Sequence, residues 1–318
     1  KKTFQGEFNM KKSLGLFFIA FMVFALFACG EEERVYAYDG DFMAYEVSVS
    51  RNAPQVISVV VTIENDEITK YTIDTLQGNR TGDGTDEVPY VWAWNTQSKK
   101  ELGDAYGMAG ASDIGKEWYE QAEAIEAFWL ENGVDSITVD GNGNIDNVTG
   151  ATISDSYSAI AQQAVQHAID GKFVAMYASG TDLYSAVLTL NDGEIDTLVL
   201  DVLQSTRSQE DGSFVWNAQT KQQLGDDYGM KGVGGGYTFT NGAWVSSGSP
   251  ATLEWYEQVN LISDYIIANG YNSNLQAVDA RGGSLDGTTL VDALAGATIR
   301  TGSYYTLLAR LFDTNGVA

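Results

Sequence analysis

The segment from Trp94 to Met108 reads WNTQSKKELGDAYGM, and the segment from Trp216 to Met230 reads WNAQTKQQLGDDYGM. Two shorter segments recur in the same order along the chain: Glu117–Gln121 returns as Glu254–Gln258, and Gly150–Ile153 returns as Gly296–Ile299. Recurrence of several segments in a fixed order predicts two copies of one structural unit. The 318 residues suffice for about two ordinary domains, and we expect these domains at residues 35–171 and 172–318.

Each copy begins with alternating segments rich in β-branched residues, which are typical of a β-hairpin. In the first copy Val59–Ile63 and Ile68–Ile73 flank the turn residues Glu64–Glu67. In the second copy Ala186–Leu190 and Ile195–Leu200 flank an Asp-Gly turn. We therefore expect an antiparallel sheet at the start of each copy.

The recurring Glu-Trp-Tyr-Glu-Gln segments predict amphipathic helices, because apolar residues follow them at helical spacing. The apolar face comprises Trp118, Ala122, Ile125 and Trp129 in the first copy, and Trp255, Val259, Ile262 and Ile266 in the second. Both helices are predicted to end at an Asn-Gly pair. Further helices are predicted at residues 155–169 and 302–312. The predicted fold class is α+β, an antiparallel sheet with packed helices, formed twice.

The composition excludes several classes of function. The chain has 43 acidic and 18 basic residues, a formal charge of −25, so it should repel nucleic acids, which bind proteins through Lys and Arg. With one histidine, His167, and one cysteine, Cys29, it lacks the residues for a histidine-rich metal site, an iron–sulfur cluster or an intrachain disulfide. We assign no metal ligands and no catalytic residues, and we interpret His167 as structural.

The N-terminal region resembles a bacterial lipoprotein leader. Lys11 and Lys12 precede an uncharged run of 16 residues that ends directly before Cys29. In such leaders the cysteine thiol is acylated and becomes the new N-terminus. A transmembrane helix needs about 20 apolar residues, so we interpret residues 10–28 as a signal peptide and residues 29–34 as a lipidated tether. A plain signal peptide with an incidental cysteine is the alternative.

The segment Asp146–Ser154 reads DNVTGATIS. It resembles the flavinylation motif of the FMN-binding domain family, Asp-x-x-Ser/Thr-Gly-Ala-Thr, which occurs in subunits of sodium-pumping quinone reductases and in extracellular flavin carriers. In that family a flavin transferase takes FMN from FAD and joins its phosphate to the last threonine of the motif. The resemblance implies that Thr152 is modified, that Thr149 occupies the Ser/Thr position, and that Asp146 takes part in the transfer.

The predicted local structure also suits a phosphate at Thr152. A helix over residues 155–169, capped by Ser154, would place Thr152 beside free backbone N–H groups and the positive end of the helix dipole. Gly150 and Ala151 leave no bulky side chain to keep a flavin phosphate from the backbone. An ordinary strand–turn–helix with small turn residues is the alternative.

A second form of the motif favours the flavin interpretation. The segment from residue 292 to residue 300 reads DALAGATIR, and its matching residues are Asp292, Gly296, Ala297 and Thr298. Ala295 replaces the family's Ser/Thr, which leaves open how efficiently Thr298 is modified. The resemblance thus implies up to two covalent FMN groups per chain.

A lipoprotein leader followed by two such domains resembles the flavin lipoproteins of Gram-positive extracellular electron transfer. The resemblance covers nearly all of residues 34–313. It implies a lipid-anchored carrier on the extracytoplasmic face of the cell membrane, which passes electrons from a membrane quinone-linked donor to extracellular acceptors such as ferric iron.

Two alternatives stay open: a flavin-carrying accessory subunit or domain of an extracellular reductase, and a surface lipoprotein that binds a ligand without redox activity. Because the chain has no Gly-x-Gly-x-x-Gly segment, we favour a carrier over an enzyme with its own substrate pocket. Six side chains suit either the core or a flat flavin ring: Tyr106, Met108, Trp118, Tyr228, Met230 and Trp255.

Overall fold

The computed structural model describes residues 34–233, 237–240, 243–246, 250–271, 299 and 302–315. The predicted signal peptide and Cys29 lie outside these residues. The described residues belong to one compact unit, Arg34–Ala318. Among them, no helix combines the length and the apolar character needed to cross a membrane.

The first half of this unit is a four-stranded antiparallel sheet with helices packed on it. Its elements are β1 (Gly40–Ser50), β2 (Ala53–Glu64), β3 (Glu67–Thr81), β4 (Val91–Trp94), α1 (Lys99–Leu102), α2 (Trp118–Asn132) and α3 (Ser158–Asp170). The strand order is β1-β2-β3-β4. Helix α2 packs on β3, and α3 packs on β1 and β2.

Two-residue turns close the first two hairpins. Arg51 and Asn52 join β1 to β2, and Asn65 and Asp66 join β2 to β3; all four residues have positive φ. This is the backbone of a type I′ turn, whose twist matches that of the flanking strands.

The second half contains a three-stranded antiparallel sheet, two strand pairs and further helices. Its described elements are β5 (Lys172–Ser179), β6 (Asp182–Asn191), β7 (Glu194–Leu203), β8 (Ser205–Arg207), β9 (Phe214–Trp216), α4 (Lys221–Leu224), β10 (Tyr237–Thr240), β11 (Ala243–Ser246), α5 (Trp255–Asn269) and α6 (Gly302–Asn315). The three-stranded sheet has the order β5-β6-β7, while β8 pairs with β9 and β10 with β11. Helix α5 packs on β7, and α6 packs on β5 and β6.

The α+β fold class and the predicted elements of the sheets and long helices are confirmed. The predicted hairpins correspond to β2–β3 and β6–β7. The eight predicted apolar positions of α2 and α5 are all buried. Both helices are followed by glycine, Gly133 and Gly270, as the Asn-Gly pairs predicted.

Side chains from both halves meet in one buried core. Phe42 of β1 stacks on Phe173 of β5, with ring centroids 4.6 Å apart. Trp216 of β9 donates its indole N–H to the carbonyl oxygen of Ser48, at 2.8 Å. The division of the chain at residue 171 into two tandem domains stays a prediction.

Candidate functional site

The first flavinylation-like motif lies in a loop between α2 and α3. Ile145 donates its backbone N–H to the carbonyl of Ile153 at 3.0 Å, and a β-bridge joins Asn144 to Ser154. These contacts bring the two ends of the motif together. The loop therefore has a fixed shape in which the residues between its ends form a turn.

The turn itself explains the glycine of the motif. Ala151 donates its N–H to the carbonyl of Val148 at 3.1 Å, and Gly150, the third residue of the turn, has φ +95°. A type II turn requires positive φ at that position, which favours glycine. Val148 and Ala151 point into the core, with 6% and 3% of their surface exposed, so burial limits the size of residue 151.

Thr152 is exposed on this loop and is anchored to α2. Its backbone N–H donates to Oε1 of Gln121 at 2.9 Å, and its hydroxyl Oγ1 lies 3.5 Å from the same oxygen. Gln121 is buried and donates from Nε2 to the hydroxyl of Ser112 at 3.1 Å. A side chain in the first turn of α2 thus positions the candidate attachment residue.

The predicted position of Thr152 at the N-terminus of a helix is wrong. Helix α3 begins at Ser158, six residues after Thr152, and not at Asp155. Its N-cap residue is Tyr157, and not the predicted Ser154; Oδ1 of Asp155 accepts the backbone N–H groups of Tyr157 and Ser158. The helix dipole acts only within the first turn, so α3 contributes no such stabilisation at Thr152.

The positive group near the motif is the ammonium of Lys116, and not the end of a helix dipole. The ammonium nitrogen of Lys116 lies so close to Gly150 that a Cβ at this position would come within 2.8 Å of it. Lys116 precedes Glu117, the N-cap residue of α2. It forms no ion pair with the residues the structure describes. Its charge is therefore available to an anion on the loop.

Asp146 and Thr149 are both exposed on the loop. The carboxylate of Asp146 accepts a hydrogen bond from the Thr138 hydroxyl at 2.5 Å, while its backbone N–H donates to the Thr138 carbonyl at 3.1 Å. Asp146 therefore ties the start of the motif to the segment that follows α2. The residues Asp292, Gly296, Ala297 and Thr298 of the second motif lie outside the described residues.

The rings of Tyr106 and Trp118 both lie close to the ammonium group of one lysine, Lys99. The ammonium of Lys99 lies 5.1 Å from the ring centre of Tyr106 and 5.2 Å from that of Trp118. Trp118 is buried, and its indole N–H donates to the Tyr157 hydroxyl at 3.1 Å. Trp118 is thus a core residue, whereas Tyr106 and Met108 are half-buried.

The same arrangement recurs in the second half. The ammonium of Lys221 lies 4.8 Å from the ring centre of Tyr228 and 5.3 Å from that of Trp255. A positive charge over an aromatic face is attracted by the ring quadrupole. The two arrangements differ in their surroundings, because Gly180 and Thr181 form the turn between β5 and β6, whereas Arg51 and Asn52 form the turn between β1 and β2.

The pKa of Lys99 is lowered to about 8, chiefly by burial and then by the positive charge of Arg51, against an opposing effect of Asp74. A lysine with this pKa is partly neutral in mildly alkaline solution. The lowered pKa indicates an ammonium that has lost much of its hydration without gaining a close carboxylate.

Lys99 and Arg51 line a cavity of about 710 Å³, which is within the usual size range of small-molecule sites. Tyr106, Met108 and Ala111 form part of its wall. Ala111 precedes Ser112, the residue that Gln121 contacts. Gln121 thus contacts Thr152 on one side and, on the other, Ser112, the neighbour of a residue that lines the cavity.

Sequence reasoning missed four residues of this region: Lys99, Arg51, Lys116 and Gln121. Lys99 and Gln121 had a signal, since both recur in the repeated segments as Lys221 and Gln258. Arg51 and Lys116 had none, because they lie outside the segments that recur.

Comparison with known proteins did not identify a family for this chain. No protein-family model and no curated protein matches the chain. A solution NMR structure of a protein from Clostridium thermocellum, determined by a structural genomics consortium, aligns over 41% of this chain and 91% of its own, with 22% identity and a TM-score of 0.27.

Proposed function

We propose that this protein is a lipid-anchored, extracytoplasmic electron carrier that holds FMN as a phosphoester on Thr152 and a second FMN on Thr298. The proposal treats residues 35–171 and 172–318 as tandem FMN-binding domains, attached to the membrane through Cys29. The single observation that carries it is the exposed Thr152 directly after a glycine turn, with the ammonium of Lys116 beside Gly150 of that turn.

The residues around Thr152 fit a phosphoester. Lys116 offers a positive charge that a phosphate diester would neutralise. Oε1 of Gln121 accepts the backbone N–H of Thr152 at 2.9 Å and lies 3.5 Å from the hydroxyl of this exposed residue. Together these two residues fix the attachment point and supply its counter-charge.

The attachment reaction needs FAD as co-reactant and a flavin transferase. The Thr152 oxygen bonds to the phosphorus of the FMN half of FAD, the pyrophosphate P–O bond breaks, AMP leaves, and the hydroxyl proton is released. The attached FMN supplies the redox chemistry, since a flavin accepts and donates electrons. The donor is a membrane quinone-linked protein, and the acceptors are extracellular oxidants such as ferric iron.

Covalent attachment suits a carrier outside the cell. A site with a dissociation constant of about 1 μM, roughly −8 kcal/mol, loses its ligand when the surroundings are more dilute than that. A phosphoester removes the dissociation step. A lipid anchor then raises the effective concentration of the carrier near its membrane donor.

The test is co-expression with a flavin transferase, followed by intact-mass measurement and ultraviolet inspection of a denaturing gel. We expect the wild type to gain the mass of up to two FMN groups and to fluoresce. Thr152→Ala should lose one FMN, Thr298→Ala the other, and the double variant both.

Ser156→Ala is the matched control, because it removes another exposed hydroxyl from the same loop, outside the motif. It should keep the FMN on Thr152. Wild-type protein that gains no mass at either threonine after exposure to the transferase would overturn the proposal.

A further inference from the structure

The cavity beside α1 differs in charge from the rest of the molecule. The chain has 43 acidic and 18 basic residues, yet the described residues that line the cavity include three basic ones, Arg51, Arg80 and Lys99, and no aspartate or glutamate. Amide side chains such as Gln55 and Gln77 complete much of its polar wall. These groups can donate hydrogen bonds, so the cavity presents positive charge and donors together.

Two of the three basic groups have no carboxylate partner among the described residues. Arg80 donates to the carbonyl oxygen of Gly212 at 2.6 Å and stacks on Tyr90. Among the residues the structure describes, neither Arg51 nor Lys99 forms an ion pair. Two unpaired cations close enough to affect each other are costly unless an anion joins them.

An aromatic and a thioether side chain form an apolar part of the wall. Tyr106 and Met108 both line the cavity, and the Tyr106 ring lies near Lys99; aromatic rings and thioethers pack well against planar groups. Positive charge beside these two side chains is complementary to a planar molecule with an anionic substituent.

We propose that this cavity binds a planar small molecule bearing a carboxylate or phosphate, with the anion between Arg51 and Lys99 and the flat part against Tyr106 and Met108. The site goes beyond covalent attachment at Thr152 and does not require it. Its ligand is either a free planar anion from solution or the anionic end of a flavin nucleotide, which share this chemistry.

The experiment is a titration of unmodified wild-type protein with 2-naphthoate and with 2-naphthamide, followed by calorimetry. The two probes have the same ring and differ in charge. We expect 2-naphthoate to bind one molecule per chain, at least about tenfold more tightly than the amide. Equal affinity for the two probes, or no binding of either, would overturn the proposal.

Variants locate the site. Lys99→Met and Arg51→Asn should each weaken 2-naphthoate binding by about tenfold or more, because each removes a charged donor. Asn suits position 51, where φ is positive. Lys221→Met is the matched control, since it removes a lysine that stacks on the equivalent aromatic pair but does not line this cavity. Loss of binding in the control but not in the first two variants would contradict the assignment.

A further titration distinguishes the two possible ligands, a free planar anion and a flavin nucleotide. The same titration is made with FMN and riboflavin, which differ by the phosphate, and with protein already flavinylated at Thr152. Preference for FMN, together with loss of 2-naphthoate binding after flavinylation, identifies the ligand as a flavin nucleotide. Undiminished binding after flavinylation identifies a free anion. Both results support an anion site, whereas an unchanged affinity in Lys99→Met overturns it.

Discussion

The charge of Lys99 depends on pH in a range where a lysine of ordinary pKa does not change. Its pKa is about 8, lowered chiefly by burial and then by Arg51. The groups that face it are Arg51, Asp74 and Tyr106. Burial raises the pKa of Tyr106 above its ordinary value, so Tyr106 stays neutral between pH 7 and 9. Asp74 accepts backbone N–H groups of Thr75 and Lys100.

This property predicts how anion binding in the cavity varies with pH. Because a bound anion favours protonated Lys99, affinity for 2-naphthoate should be constant below about pH 8 and fall as the pH rises through it, by about tenfold at pH 9. Calorimetric titrations between pH 6.5 and 9.5 measure the profile. Lys99→Arg keeps its charge at all these pH values and should give a flat profile; a falling profile in this variant would assign the effect to another group.

At the scale of elements, the start of α2 is fixed by a buried carboxylate. Glu117 has 7% of its surface exposed and accepts the N–H groups of Met108 at 2.7 Å and Ala109 at 2.9 Å. Glu254 does the same for Met230 and Lys231 at the start of α5. Each carboxylate therefore joins the Tyr-Gly-Met loop to the helix that follows it.

Glu117→Gln should destabilise the protein by about 1–3 kcal/mol, because the amide has one acceptor oxygen and leaves a buried N–H without a partner. Chemical denaturation measures the change in the free energy of unfolding. Glu123→Gln, an exposed position of the same helix, should change stability by less than about 0.5 kcal/mol. Similar effects of the two substitutions would show that the buried contacts contribute little.

Helices and hairpins could be predicted from the sequence because their signals are local. The spacing of Trp118, Ala122, Ile125 and Trp129 identified the buried face of α2, and alternation identified β2 and β3. The start of α3 was mispredicted because serine is a residue type that favours the N-cap position. In the structure Ser154 pairs with Asn144 instead, a contact that no local pattern reports.

The candidate site, too, could be predicted from the sequence only in part. The motif identified Thr152, and repetition pointed to the segments containing Lys99 and Gln121. No pattern joined Arg51, in a hairpin turn, to Lys99, in a short helix, because their proximity arises only when β1–β2 and α1 are assembled. Charges that act through space are therefore the part of a site that single-sequence reasoning recovers least.

At the scale of the whole molecule, contacts between the halves predict joint unfolding. Phe173 has 1% of its surface exposed and stacks on Phe42 of the other half. Phe173→Ala should cost about 3–5 kcal/mol and should lower the protection of α2 amides against hydrogen exchange, although α2 belongs to the first half. Hydrogen exchange with mass spectrometry measures this.

Val199→Ala is the control for this prediction, since Val199 lies on β7 with 45% of its surface exposed. It should leave the protection of α2 unchanged. Normal protection of α2 in Phe173→Ala would mean that the two halves unfold separately.

Among the residues that the structure describes, none that lines the cavity carries a carboxylate; in a chain of formal charge −25, this affects the rate of ligand entry as well as affinity. An anion approaching from afar meets net repulsion and is attracted only within the last Debye length, about 10 Å at 0.1 M salt. Added salt would screen the repulsion and speed arrival, while the attraction inside the cavity is screened less. The acidic exterior thus slows the arrival of anions, although the cavity itself attracts them.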